Sequence, residues 1–305
     1  MSATASNSDD YLRKYIDSKD DIDNNTGLKS SLTEQHKEFS SVKDLQFMAI
    51  NVEELPCKWF YAAGTTVMVR PADIKEIQAF SVVNETNFYD IFEKVNYMIS
   101  KCVFLKLPDG RKVPHTHLVD GDRWYMLFII RDLTFQKGTE LMTKADDSGD
   151  MIPIKRGNFR FHEMEPTLEK YYDKVNGVFD IKTKIGDFTL APPKIGLQKS
   201  FTDYMLEIAK KGETIDKSFL KIIPYTLTDR LSITKQGIEK YLKEYEIIGK
   251  PEFQVLNQLV EKMKFGIKSV SIINESGEEV HSTNMFPDGI AGLFVEHDTL
   301  SDYLI

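Results

Sequence analysis

The alternation of hydrophobic and polar positions divides the chain into stretches of different character. Residues 1–45 carry no sustained apolar stripe. Two short pieces, 11–16 and 32–39, have the composition of marginal helices, but so few apolar groups cannot offset the entropy of ordering them. The segment reads as an arm that is flexible alone and ordered by a partner. A globular pattern begins near Leu45. Residues 55–61 form an irregular lead-in, and the β-branched run at 65–69 predicts a strand that Arg70-Pro71 stops. Pro71 suits a first helical turn, and Asp73 and Glu76 suit its positive end, so a short helix carrying Ile74, Ile77 and Phe80 follows. Phe88, Ile91, Phe92, Val95, Ile99 and Cys102 recur at helical spacing. Leu107-Pro-Asp-Gly110 reads as a turn. The run from Arg123 to Arg131 is apolar nearly all round, which predicts a central helix.

Beyond it the rhythm turns to strands: 133–143, a hairpin tip at 145–149, then 151–154 and 158–162. A further hairpin, 171–184 with 187–191, closes around Ile185-Gly186. Four helices follow, marked by Phe201/Tyr204/Met205/Ile208, Phe219/Leu220/Ile223, Ile238/Tyr241/Leu242/Tyr245, and Phe253/Leu256/Leu259/Val260/Met263. Strands return at 267–273 and 279–283, around a turn at 274–277, and residues 298–305 make a short terminal helix or tail. The order of elements in 62–162 recurs in 178–284 without residue-level identity, a weak pseudo-repeat. The reading is an α+β fold: two small related lobes of helices on short antiparallel strands, each with a protruding β-hairpin. Its domains are an acidic arm at 1–45, a first lobe at 46–170 and a helix-rich second lobe at 171–305.

Composition narrows the function. At 305 residues the chain is long enough to bury a core without disulfides or metal, and it has only two cysteines, Cys57 and Cys102. That excludes a disulfide scaffold and a Cys-rich zinc module and fits a reducing cytosol. The polar opening lacks a secretory leader, and the longest apolar run, 124–130, is too short to span a bilayer. A net charge of −8 argues against a nucleic-acid partner, because phosphate binding needs a local excess of cations.

Nucleotide-binding glycine motifs and nucleophile elbows are missing, and no cofactor is expected. His115, His117, Asp120 and Asp122 lie in one loop and would suit a divalent metal, which gives a rival reading as a metal-dependent hydrolase or nuclease. Asp120-Gly-Asp122 also suits a helix N-terminus, which is the simpler reading. Asp146, Asp147 and Asp150 read as turn residues. Cys57, beside Lys58, is a packed thiol or a low-pKa one, and Cys102 belongs to a helix's apolar stripe. Trp59, Phe60 and Tyr61 cluster outside any periodic element. Such aromatics mark a protein interface or close a domain.

The run Leu55-Pro-Cys-Lys-Trp-Phe-Tyr61, the strand into Val69-Arg70-Pro71, and the helix ending at Ser100-Lys-Cys-Val103 resemble the T-even-type phage baseplate hub assembly protein family. Residues 119–133, followed by Thr134-Phe-Gln-Lys-Gly138, do so as well. The resemblance is clearest over 52–141, is only an outline over 178–290, and does not reach the first 45 residues. Relatives carry Cys-x-x-Cys pairs in the hairpin, whereas the matching stretch 143–151 has no cysteine, so structural zinc is not expected. The resemblance implies a non-enzymatic structural or assembly protein of a contractile-tailed phage baseplate hub, in the virion tail or in the host cytoplasm during assembly. Its partners would be other baseplate and tail proteins, with no small-molecule substrate. Trp59, Phe60, Tyr61, Asp147 and Ser276 are the expected interface residues. A generic acidic adaptor is a further alternative.

Overall fold

Three apolar side chains stack across the first three strands and fix their register. Strands β1 (Met48–Asn51), β2 (Thr66–Val69) and β3 (Val103–Lys106) pair antiparallel, so that Ile50, Val67 and Leu105 stand opposite one another, each no more than 4% exposed. Because side chains alternate between faces, slipping this register by one residue would turn all three toward water. The short β4 (Lys112–Pro114) completes the sheet after the 107–110 turn. The structure is a computed structural model that describes residues 47–135, 141–144, 151–213, 217–273, 279–282, 286 and 289–294. The arm at 1–45, the tail at 298–305 and the hairpin tips holding Asp147 and Ser276 lie outside the described residues.

Two helices follow from the pattern. Asp73 caps α1 (Ile74–Ser81) through its side chain, and Glu76 answers with the reciprocal bond of a capping box. Asn87 caps α2 (Phe88–Cys102), which buries Val95, Met98, Ile99 and Cys102. Arg70, at the end of β2, and Glu76 form an ion pair with two bonds of 2.9 and 2.5 Å, both residues being 4% exposed. Arg70 also donates to the Pro71 carbonyl at 2.8 Å, and Glu76 accepts the Asp73 amide at 2.8 Å. The pair is thus made at two points and is backed by further partners on both sides, which is the condition under which a buried charge is tolerated.

Helix α3 (Arg123–Thr134) is central, as its all-round apolarity requires, with nine buried residues. It extends three residues past Arg131, so Leu133 and Thr134, expected in a strand, are helical, while β5 (Leu141–Lys144) covers the later part of that expected strand. Leu133 continues the helix's buried surface, and the Thr134 hydroxyl donates back to the Ile130 carbonyl at 2.6 Å. Strand β6 (Met151–Ile154) returns along β5, and β7 (Phe159–Phe161) follows.

After the short α4 (Pro166–Glu169), a three-stranded sheet forms from β8 (Tyr172–Asp173), β9 (Val178–Thr183) and β10 (Gly186–Leu190). Four helices then succeed one another: α5 (Ile195–Lys210), α6 (Lys217–Thr226), α7 (Lys235–Glu246) and α8 (Lys250–Lys262). Strand β11 (Ile267–Ile273) pairs with β12 (Glu279–Ser282) and with β7. The architecture is α+β with small antiparallel sheets.

The residues are shared across the expected 170/171 division. β7 lies before that point and β11 after it, yet they form one ladder. The largest core, built on the first sheet and on α1 to α3, also takes in Ile195, Val270, Ile290, Leu293 and Phe294. Arg131 donates to the Leu293 carbonyl at 2.9 Å, tying the C-terminal turn to α3. A second core lies between the β8–β10 sheet and helices α6 and α8, and a third lies among α5, α6 and α7. The described residues from Phe47 onward accordingly belong to one compact unit. No helix among the described residues is long and apolar enough to cross a membrane.

Replacing Arg70 with Met leaves Glu76 buried without its cation, and is expected to cost about 3–5 kcal/mol in urea unfolding. Arg111→Met, at the exposed Arg111–Asp109 pair, is the control and is expected to change stability by less than about 1 kcal/mol.

Candidate functional site

Three segments distant in sequence cross at one point between the first and second cores. They are the lead-in at 55–61, the loop at 115–122, and Phe265-Gly266 just before β11. Leu55, Pro56 and Cys57 are buried, and the chain then makes a single 3-10 turn over Lys58–Phe60. The next two side chains part company: Phe60 packs into the second core, and Tyr61 packs against the first. Phe60 meets Phe265 edge to face with centroids 4.7 Å apart, and also meets Phe179 at 5.9 Å and Tyr172 at 6.0 Å. Trp59 lies 5.7 Å from Phe265, with Lys58 over its indole, while its carbonyl accepts the Tyr172 hydroxyl. The aromatic trio thus packs against other parts of the chain, Phe60 on the second core and Tyr61 on the first, while all three stay partly exposed.

Asp122 sits at the centre of this crossing and is 0% exposed. It occupies the position before α3, but its side chain makes no cap there, contrary to the sequence reading. Its residue has already turned helical (φ −85°, ψ −9°), and its carboxylate reaches across the chain instead. One oxygen accepts the Cys57 amide at 2.8 Å and the other accepts the Tyr61 hydroxyl at 2.6 Å. The Tyr61 oxygen in turn accepts the Val119 amide at 2.9 Å, so the phenol bridges the loop and the carboxylate. Burial drives the Asp122 carboxyl up to about 7 and outweighs these donors, which pull it down. The same burial, with the Asp122 charge beside them, pushes the Cys57 thiol and the Tyr61 phenol well above their ordinary values. Cys57 is thus a packed thiol rather than an activated one.

Backbone approaches backbone at the same crossing. A Cβ on Gly121 would stand 2.7 Å from the Cys57 sulfur and 2.9 Å from the Phe265 carbonyl oxygen. Gly266 has φ +113°, and a Cβ there would lie 2.6 Å from the Gly121 carbonyl oxygen. Both positions need glycine, Gly121 for space and Gly266 for space and conformation. The loop's other side is pinned to the start of α5. Asp120 N–H donates to the Pro193 carbonyl at 2.9 Å, and Ile195 N–H donates to the Leu118 carbonyl at 2.8 Å.

These engagements bear on the rival metal reading. Both Asp122 oxygens are occupied, and Asp120 pairs with the Arg123 guanidinium, which stacks 4.0 Å over the Phe92 ring. Burial, with Arg123, Lys199 and His117 nearby, lowers His115 to about 4 and leaves its imidazole neutral at pH 7. Among the described residues no group of three or more His, Cys, Asp or Glu side chains is placed to hold a metal ion. Asp120 and Asp122 are thus both engaged with partners inside the chain.

Phe265 and Gly266 were not singled out from the sequence, and their only signal is a glycine between two apolar residues ahead of a strand. Nor was the exposure of Phe88 legible. It sits on the apolar stripe of α2, yet it lies beyond the end of the core and is 61% exposed. Comparison with protein-family models, with curated proteins and with solved structures finds no match.

Gly121→Ala must displace Cys57 or the 265–266 backbone. It is expected to cost about 1–3 kcal/mol in chemical unfolding, whereas Gly157→Ala, which would meet nothing within 4 Å, is expected to be near neutral.

Proposed function

We propose that this chain is a non-enzymatic structural or assembly protein of a contractile-tailed phage baseplate hub, acting through protein–protein contacts. One observation carries the reading: the residues on which the family resemblance rests are the residues that build the frame. Leu55 and Pro56 are buried at the crossing, and Arg70 holds Glu76 at the end of β2. Gly121 and Asp122 form the crossing itself, and Arg131 anchors the C-terminal turn. Residues that each make a specific buried contact constrain which backbone a sequence can adopt, and this consistency supports the reading.

Contacts with partners fall to the surface that this frame carries. The turn between α1 and α2 presents Val82 and Phe88, which are 70% and 61% exposed, at its two ends, and Ile74 is 73% exposed at the start of α1. Large apolar side chains in the open gain most from burial against another protein. The work of the protein is to hold hub subunits in register through such contacts, in the host cytoplasm during assembly and in the tail if it is retained.

Quantitative mass spectrometry of infected-cell lysate, baseplate intermediates and purified virions tests this reading. The chain is expected to co-purify with baseplate intermediates at a fixed ratio to hub subunits. A chain that never accompanies tail or baseplate proteins in any fraction overturns it. Val82→Ser with Phe88→Ser is expected to weaken capture of the hub subunits about tenfold while leaving the melting temperature near that of the wild type.

A further inference from the structure

The carboxylate of Asp122 is sealed from water, joins two distant segments, and has no cation of its own. Its oxygens take the Cys57 amide and the Tyr61 hydroxyl. The nearest arginine in sequence, Arg123, spends its guanidinium on Asp120 and on the face of Phe92. The groups that act on the carboxyl are Cys57 and Tyr61 from the lead-in and Asp120 from the same loop, with Tyr125 from α3 and Tyr225 from α6 beside them. Among the cations of the crossing segments, Lys58 lies over the Trp59 ring and Lys264 pairs with Glu261 at 2.7 Å, and neither they nor Lys194 at the head of α5 acts on Asp122. Cys, Tyr and Asp side chains carry no positive charge in either of their states, so Cys57, Tyr61, Asp120, Tyr125 and Tyr225 supply no counter-charge. Phe265 and Gly266 bring only backbone to the point of contact. An ionised carboxylate in such surroundings has hydrogen bonds but no counter-charge, whereas a neutral carboxyl fits the site without that cost.

We propose that Asp122 is a proton-operated latch, closed on the lead-in segment 55–61 while it is neutral and loosened when it ionises, so that the crossing opens at Tyr61 and uncovers Cys57. In the closed state the carboxyl titrates at about 7 because of its burial, whereas once exposed to water it returns to the ordinary value of about 4. Between those limits the closed state holds a proton that the open state has lost. The closed state therefore loses ground as pH rises from about 4 to about 7, and the dependence flattens above that. The direction is opposite to that of a carboxylate stabilised by a cation, which would tighten over the same range.

The thiol of Cys57, 0% exposed when the latch is closed, reports its opening, and Cys102, equally buried on α2, is an internal control. The test uses the full chain. Each cysteine's alkylation rate is followed by peptide mass spectrometry and normalised at every pH to the rate of the same chain in denaturant. Protection of Cys57 is expected to fall roughly tenfold or more between pH 5.5 and pH 8 while that of Cys102 holds. In Asp122→Asn, which cannot ionise, the Cys57 profile is expected to be flat. Tyr61→Phe, which removes a donor from the carboxylate, is expected to move the midpoint to higher pH, and it serves if the Asn variant does not fold. A flat wild-type profile, a slope that survives in Asp122→Asn, a midpoint unmoved in Tyr61→Phe, or a parallel loss at Cys102 overturns the latch.

Discussion

The hydrogen bond between the Tyr61 hydroxyl and the Asp122 carboxylate ties the lead-in to the loop before α3 at the point where the first and second cores meet. Tyr61 belongs to the wall of the first core, and its neighbour Phe60 belongs to the second, so a shift of this one backbone stretch disturbs both. Asp122 fixes that stretch from the start of α3, the most deeply buried helix of the first core. The cost of removing a carboxylate from water is met here by two strong donors and a partly neutral state, rather than by an ion pair. Once the loop is placed, its backbone sets the start of α5 through Leu118 and Asp120, and through Gly121 it sets the approach of the strand that closes on β7.

The other buried charges serve the same end by different means. Arg70 and Glu76 neutralise each other at the junction of β2 and α1, with the Cys102 thiol 3.5 Å from the carboxylate. Arg131 satisfies a backbone carbonyl 162 positions away in sequence. Every one of these contacts demands a particular partner at a particular place, which apolar packing alone does not. They give the fold its uniqueness.

Much of the fold was legible because it follows from local rules. The apolar stripe at 88–102, the all-round apolarity at 123–131, Gly186 in its hairpin and Pro251 at the head of α8 each lead to the element observed. Contacts between segments far apart were not legible. Glu76 has the right type and place for a helix N-terminus, and nothing nearby reveals that it also neutralises Arg70 within the core. Asp122 satisfies every local criterion for a cap, yet its carboxylate accepts from the Cys57 amide and the Tyr61 hydroxyl, donors some sixty positions away that no local rule records. Likewise the cluster Trp59-Phe60-Tyr61 is irregular because it serves two cores at once, a property that no periodicity records.

The central claim is that Tyr61 and Asp122 act as one unit, and a double-mutant cycle measures that unit directly. Urea unfolding at pH 7 of the wild type, Tyr61→Phe, Asp122→Asn and the double variant yields the coupling free energy. A buried, shared hydrogen bond at the crossing of two cores requires a coupling of about 1–3 kcal/mol. Additivity of the two substitutions to within about 0.5 kcal/mol would show that the phenol and the carboxyl contribute independently, and the crossing could not then hold the fold as described.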